Sequence, residues 1–180
     1  MSAGAARPPG TGDRVRGLRA LEGELAGAGR RFGIVAARFN DRIVDALVEG
    51  AVGCLLRCGV AAGDVRLVRV PGAWEIPAAL AELAAPDGDP QAGFRPDGLL
   101  ALGAVIRGET GHYDVICSEC SRGVAAVTER YRVPVGFGVL TCETVEQAAA
   151  RAGGAAGNKG EEAALAVLEM ADLFARLRSS

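Results

Sequence analysis

The 180-residue sequence predicts a small doubly wound α/β domain, a four-stranded parallel sheet with helices on both faces. Three observations predict it. Four strand-like runs follow one another, and each leads into a segment of helical periodicity. The runs are apolar on both faces, as strands buried between two helical layers must be. The length suits one hydrophobic core that folds without disulfides or metals.

Residues 1–30, with "ARPPGTGDR" and "LAGAGRR", are rich in Ala, Gly, Pro and Arg and have little to bury. They are expected to form a flexible extension ahead of a domain spanning 31–180. Within them Leu18, Leu21 and Leu25 have helical spacing, which suits a short helix docked on the body or on a neighbour. The first unit pairs the run "FGIVAARF" (32–39) with the helix "RIVDALVEGAVGCLLRCG", and either Asn40 or Asp41 can cap it. The second pairs "VRLVRV" (65–70) with "WEIPAALAELAA" (74–85) through a turn at Pro71 and Gly72. A hydrophilic stretch (86–98) reads as a surface loop. The third unit pairs "LLALGAVI" (99–106) with a helix beginning near Thr110, and the fourth pairs "VPVGFGVLTC" (133–142) with "TVEQAAARAG". There Thr144 can cap and Gly153 can terminate. A last helix starts near Asn158, along which Ala163, Val167, Met170, Phe174 and Leu177 form one apolar stripe.

Charge and composition narrow the function classes. Twenty Lys+Arg stand against 22 Asp+Glu, a net charge of −2, so no global field draws the chain to nucleic acid or an anionic membrane. Any anionic ligand must be held locally. No apolar run approaches the ~20 residues of a bilayer span, and residues 1–30 lack the apolar segment of a secretory signal, so a cytoplasmic protein is expected. Arg7, Arg14, Arg16 and Arg19 would suit an organelle-targeting peptide, but Asp13, Glu22 and Glu24 argue against one. Cys54 with Cys58 and Cys117 with Cys120 have spacings that could supply a structural zinc site. Both pairs lie among apolar residues of helical segments, where cysteine serves as a small buried hydrophobe, and no metal is expected.

In doubly wound folds ligands bind beyond the carboxyl ends of the strands, here the loops after residues 39, 70, 106 and 142. Phe39 ends the first run and can be core or a stacking platform for a flat heterocycle. The second loop, "PGAWEIP", holds the sole tryptophan, Trp74, and Glu75, whose carboxylate can accept ring N–H groups or complement a helix N-terminus. In "IRGETGHYD", Gly108 and Gly111 permit a tight turn, and free N–H groups near Glu109 and Thr110 would form an anion site. His112, the only histidine, sits in the first helical turn, where it can be a proton-transfer group or a solvated polar residue. Arg151 and Lys159 flank "GGAAGNKG". That turn lacks the order of a nucleotide-triphosphate loop, yet Arg151 suits a bidentate phosphate contact.

In this order "GIVAARFND", "VPGAWEIP", "GAVIRGETGHYD", "PVGFGVLT" and "ETVEQAAARAG" running into "GNKGEEAA" resemble the lumazine synthase family of riboflavin biosynthesis, over about residues 31–178. The resemblance implies a single flavodoxin-like three-layer domain. It also implies condensation of 5-amino-6-(D-ribitylamino)uracil with 3,4-dihydroxy-2-butanone 4-phosphate to 6,7-dimethyl-8-ribityllumazine, releasing phosphate and water, with no cofactor. By position, Phe39 would stack on the pyrimidine, and Ala73, Trp74 and Glu75 would line the ring and ribityl pocket. Ala104, Val105 and Ile106 would meet the pyrimidine edge through their backbones. Glu109 and Thr110 would hold phosphate through backbone N–H groups, with Arg151 as the phosphate-binding arginine and Lys159 close by. His112 would transfer protons, and Phe137 would reach in from a neighbouring subunit.

The resemblance further implies pentamers with active sites between subunits, and riboflavin synthase is a candidate partner. The compact "GGAAGNKG" turn matches members whose pentamers close into a 60-subunit icosahedral shell, while the long 86–98 segment and the N-terminal extension depart from compact relatives. Two alternatives stand beside catalysis: a flavin- or lumazine-binding carrier, and a catalytically silent shell-forming scaffold. A passive ring binder needs neither His112 nor Arg151, and both are present.

Overall fold

A computed structural model describes residues 14–15, 17–85 and 94–179. Its sheet strands are β1 (Phe32–Ala37), β2 (Val65–Val70), β3 (Gly98–Ile106) and β4 (Val135–Cys142). The helices are α1 (Asp41–Arg57), α2 (Ile76–Ala84), α3 (His112–Tyr131), α4 (Val145–Ala150) and α5 (Lys159–Ser179). All four strands are parallel, in the order β2-β1-β3-β4. One apolar cluster joins α1, α4 and α5 to one face of the sheet, and a second joins α2 and α3 to the other. This is the flavodoxin-like three-layer arrangement. Right-handed crossovers require it: α1 carries the chain from β1 to one side, whereas α2 and α3 carry it to the other and must cross the opposite face.

Central position explains burial. β1 is buried at all six residues and β3 at its first seven, because each has strands on both sides and helices above and below. Small residues let the layers close. A Cβ on Gly136 of β4 would stand 2.3 Å from the Ala163 carbonyl oxygen of α5, and one on Gly160 would stand 2.0 Å from the Leu47 carbonyl oxygen of α1. The alternating glycines of "VGFG" therefore set how near α5 approaches the sheet.

Several sequence expectations are refined. The first strand ends at Ala37, although the N–H groups of Arg38 and Phe39 still donate to Val70 O (2.8 Å) and Pro71 O (3.1 Å). A single 3₁₀ turn, Ala73–Glu75, precedes α2. Asn40 sits before α1 but does not cap it with its side chain; its backbone is left-handed, with φ 61°. Thr144 does cap α4, accepting from the Gln147 N–H at 3.3 Å. Gly153 does not terminate that helix, which stops at Ala150; it lies at φ 102° in a small hairpin, Ala152–Gly154 with Gly157–Asn158. The α5 stripe is buried only at Ala163 and Val167, while Met170 and Leu177 are exposed and Phe174 is half-buried.

Leu18, Leu21 and Leu25 form no helix. Leu18–Arg19 pairs with Arg14–Val15, and residues 20–26 are irregular. That segment is docked on α5: the Glu24 N–H and Arg30 Nη2 donate to Asp172 at 2.9 and 2.7 Å, and Arg176 completes the pairing at 2.6 Å. Residues 1–13 and 16 of the extension expected over 1–30, and residues 86–93 of the loop expected over 86–98, lie outside the described residues; Gly98 itself begins β3. Cys54 and Cys58 belong to one apolar cluster and Cys120 to the cluster on the other face, so the paired spacings do not converge on one ion. No helix among the described residues is long and apolar enough to cross a membrane.

Candidate active site

The strand order reverses between β1 and β3, so a crevice must open where their carboxyl ends diverge. There lies a cleft of about 390 Å³, lined by Phe39, Gly72, Ala73, Trp74, Ala104, Val105, Ile106, Gly108, Thr110, His112, Tyr113 and Ile116. Two large apolar side chains stand open at its rim, Phe39 at 72% and Trp74 at 55% exposure. Such exposure at a concave site marks a surface meant to be covered.

The cleft's floor is β3 running past its neighbour. Pairing of β1 with β3 stops at Ala36 and Leu102, whereas β4 continues alongside to Ile106. The Arg107 N–H donates to Cys142 O at 2.9 Å, toward β4. Since backbone groups of alternate residues point the same way along a strand, Ala104 and Ile106 turn theirs to the open side. The Asn40 Nδ2 donates to Ala104 O at 2.8 Å on that side, and its left-handed backbone, which asparagine tolerates, allows the reach. The remaining backbone groups of Ala104 and Ile106 offer donors and an acceptor to the edge of a flat ring. Val105 contributes its side chain.

The β2 end supplies Ala73 and Trp74 from the 3₁₀ turn. Glu75, in the same turn, is absent from the cleft wall; its Oε2 accepts the Gly72 N–H at 2.9 Å and holds the turn closed. The β3–α3 turn supplies Thr110 and His112. Both are exposed, and the His112 N–H donates to Thr110 Oγ1 at 3.4 Å. Glu109 is exposed beside the cleft without lining it. The first turn of α3 leaves N–H groups without intrahelical acceptors, as any helix start does.

Phe137, Arg151 and Lys159 are not brought to this cleft. They border a second depression, of about 220 Å³, along the outer edge of β4 with Gly138, Val139, Leu140, Thr141 and Cys142. Phe137 is 45% exposed there. Arg151 Nη1 donates to Gln147 O at 2.9 Å, and no carboxylate pairs with it among the described residues. Lys159 pairs with Glu162 at 2.6 Å. Asn158 anchors the depression: its Oδ1 accepts the Gly160 N–H at 2.8 Å while its Nδ2 donates to Ala46 O at 2.8 Å.

Sequence reasoning passed over Gly72, Gly108, Tyr113 and Ile116 as cleft residues, and Arg107 and Asn40 as their supports. Tyr113 adjoins His112, and Ile116 lies one helical turn beyond it, so both follow from α3 presenting this face. Burial, reinforced by Cys117 and opposed by Thr141, raises the Tyr113 phenol above its ordinary range. Asn40 left no such trace, because its signal is a left-handed backbone.

The family model of 6,7-dimethyl-8-ribityllumazine synthase matches residues 29–175. The protein of that name from Aquifex aeolicus (strain VF5) is 50% identical over 161 residues, covering 89% of this chain and 100% of its own. Its namesake from Halorhodospira halophila (strain DSM 244 / SL1) is 50% identical over 163 residues, covering 90% and 100%. That from Desulfovibrio desulfuricans (strain ATCC 27774 / DSM 6949 / MB) is 49% identical over 152 residues, covering 84% and 93%. With a doubly wound sheet, a ring-sized cleft at its switch point and a match over nearly all the described residues, the chain belongs to the 6,7-dimethyl-8-ribityllumazine synthase family.

Proposed function

We propose that this protein condenses 5-amino-6-(D-ribitylamino)uracil with 3,4-dihydroxy-2-butanone 4-phosphate to 6,7-dimethyl-8-ribityllumazine, at a composite site. One subunit would supply the cleft, and the β4-edge depression of a neighbour would supply Phe137, Arg151 and Lys159. The carrying observation is the cleft itself, where the exposed ring of Phe39, the open backbone of Ala104 and Ile106 and the imidazole of His112 border one space.

The chemistry fits these groups. The uracil's 5-amino group adds to the ketone carbonyl and water leaves to give an imine. Loss of a proton from the carbon next to the imine expels phosphate and leaves an enol, which tautomerises to a new ketone that the ribitylamino nitrogen attacks. A second water leaves as the ring closes. Each step moves a proton, which His112 at the cleft wall can accept or donate. The leaving phosphate carries charge that Arg151 and the N-terminus of α3 would stabilise, Arg151 through a planar fork that no carboxylate among the described residues occupies. Thr110, in the turn ahead of that helix, and Glu109 would add backbone N–H groups. Holding the two substrates together would supply much of the remaining acceleration.

Division of the groups between two depressions favours assembly, and a pentamer is the assembly we propose. The Ala152–Gly154/Gly157–Asn158 hairpin is compact, and by resemblance to shell-forming members of the family we propose that the pentamers close into a shell. A spectroscopic assay with both substrates, corrected for the uncatalysed reaction, tests the catalytic reading. Lumazine formed well above background by the wild type and much less by His112→Ala would support it. No product from assembled protein would end it in favour of a carrier or scaffold.

A further inference from the structure

The turn that carries His112 has almost nothing to hold it. Arg107, Gly108, Glu109, Thr110, Gly111 and His112 are all exposed. A Cβ built on Gly108 or on Gly111 would meet nothing within 4 Å, so no packing confines the backbone there. The first α3 hydrogen bonds are long, with Asp114 N to Gly111 O at 3.2 Å and Val115 N to the same oxygen at 3.4 Å. Yet a proton-transfer group must be held within a fraction of an ångström of its productive position.

One guanidinium brackets the turn. Arg107 Nη1 and Nη2 reach Asp114 Oδ2 and Oδ1 at 3.2 and 3.0 Å, a two-point fork from the residue before the turn to the third residue of α3. Its Nε pairs with Glu143 Oε2 at 2.8 Å, just beyond β4. Its plane lies over Tyr113, 4.1 Å from the ring centroid, and Tyr113 lines the cleft next to His112. The Arg107 N–H, bonded to Cys142 O, roots the bracket in the β3–β4 ladder. Single exposed ion pairs stabilise little. Here one planar group satisfies two carboxylates and one ring at once, which fixes direction as well as distance.

We propose that Arg107 is the positioning residue of the active site: it touches no substrate, and it fixes the 108–111 turn and the first turn of α3 so that His112 faces the bound intermediate. The proposal rests on the catalytic reading given above. Without Arg107 the carboxylates of Asp114 and Glu143 would be left without a shared cation, and the turn would lose the charged tie that spans it. Lysine can meet one carboxylate but cannot reproduce the fork or the stacking.

The test combines kinetics with amide hydrogen exchange on assembled protein, for wild type, Arg107→Met, Arg107→Lys, Asp114→Asn and His112→Ala. Arg107→Met should lower kcat about ten-fold while the KM of the uracil moves little, because misplacement of a catalytic group costs rate and leaves ground-state binding in place. Arg107→Lys should fall between it and wild type. Exchange at Asp114 and Val115, the first amides of α3 to find a backbone acceptor, should quicken in Arg107→Met and stay at the wild-type rate in His112→Ala. A kcat at the wild-type value, or unchanged exchange at these two amides, would overturn the proposal. Should Arg107→Met fail to assemble, the near-isosteric Asp114→Asn decides by the same two readouts. A wild type that makes no lumazine would defeat the catalytic reading, and the exchange comparison would still judge the bracket.

Discussion

The cleft at the sheet's switch point and the depression along β4 differ in what they hold. Among the cleft's lining residues the only ionisable side chains are His112 and Tyr113, set with two exposed aromatic rings and open backbone. The depression has one exposed ring, Phe137, and two cations, Arg151 and Lys159. The first is suited to a flat heterocycle and proton transfer but has no lining cation for a phosphate ester; the second can hold an anion but offers no imidazole. On the proposed reading neither would perform the condensation alone, and a second copy of the chain would join them.

The largest effects should come from separating the two. His112→Ala should lower turnover about 10²–10⁴-fold, with substrate affinity nearly unchanged. Arg151→Ala should weaken the phosphate ketone by about 1.5–3 kcal/mol, read as KM, and leave the uracil's affinity in place. If the two act in different subunits, co-assembling the variants should restore activity above either alone, because some sites would combine an intact cleft with an intact Arg151. Mixed assemblies as inactive as the parents would place both groups in one subunit.

The two rims sharpen the contrast further. Phe39→Ala should weaken binding of the uracil and the product by about 1–3 kcal/mol if the ring stacks on the heterocycle. Phe137→Ala should cost less, since that ring is the more covered of the two within its own chain. Equal losses in a fluorescence titration with product would mean that the neighbour's ring bears on the heterocycle as closely as the cleft's own.

The contrast also marks what could be read from the chain. The central strands β1 and β3 are recovered to within two residues, because a buried parallel strand shows as an unbroken apolar run. β2, an edge strand that carries Arg66 and Arg69 and buries only Val70, departs from the expectation of strands apolar on both faces and is bounded instead by the turn at Pro71 and Gly72. Phe39, Trp74 and His112 were legible because each follows a strand, where the doubly wound topology puts ligands. That Arg151 lies apart from His112 was not legible in the residues, since periodicity carries no information on which strand ends at the sheet's edge. Leu18, Leu21 and Leu25 misled: their spacing fits a helix, but Gly23, within the segment, lies so close to α5 that a Cβ would stand 1.9 Å from Glu169 O. Tertiary contact set that backbone.

A smaller effect is expected at the depression's anchor. Asn158→Ala removes a helix cap and the tie to α1, which should cost about 1 kcal/mol of stability, seen as a lowered unfolding midpoint. The KM of the phosphate ketone should rise, because the hairpin between Arg151 and Lys159 loosens, while the cleft's affinity for the uracil holds. A uracil KM that rose equally would show the two depressions to be mechanically one.

Least should happen to turnover when the ion pairs at Asp172 are altered, since they sit in neither depression, and that makes them the control. Burial alone would raise the Asp172 carboxyl, but the Glu24 N–H together with Arg176 and Arg30 outweighs it and holds the group below its ordinary value of 3.8. A depressed carboxyl contributes stability that is fully present above the ordinary value and is lost as pH falls through the folded one. Asp172→Asn should therefore unfold at a lower temperature than wild type at pH 7, and the gap should close as the pH is taken below 3.8. A gap independent of pH would mean that packing of the 20–30 segment on α5, and not the carboxylate, accounts for the difference. A fall in kcat at pH 7 would mean that the segment, far in sequence from His112 and Arg151, nevertheless reaches a working site in the assembled protein.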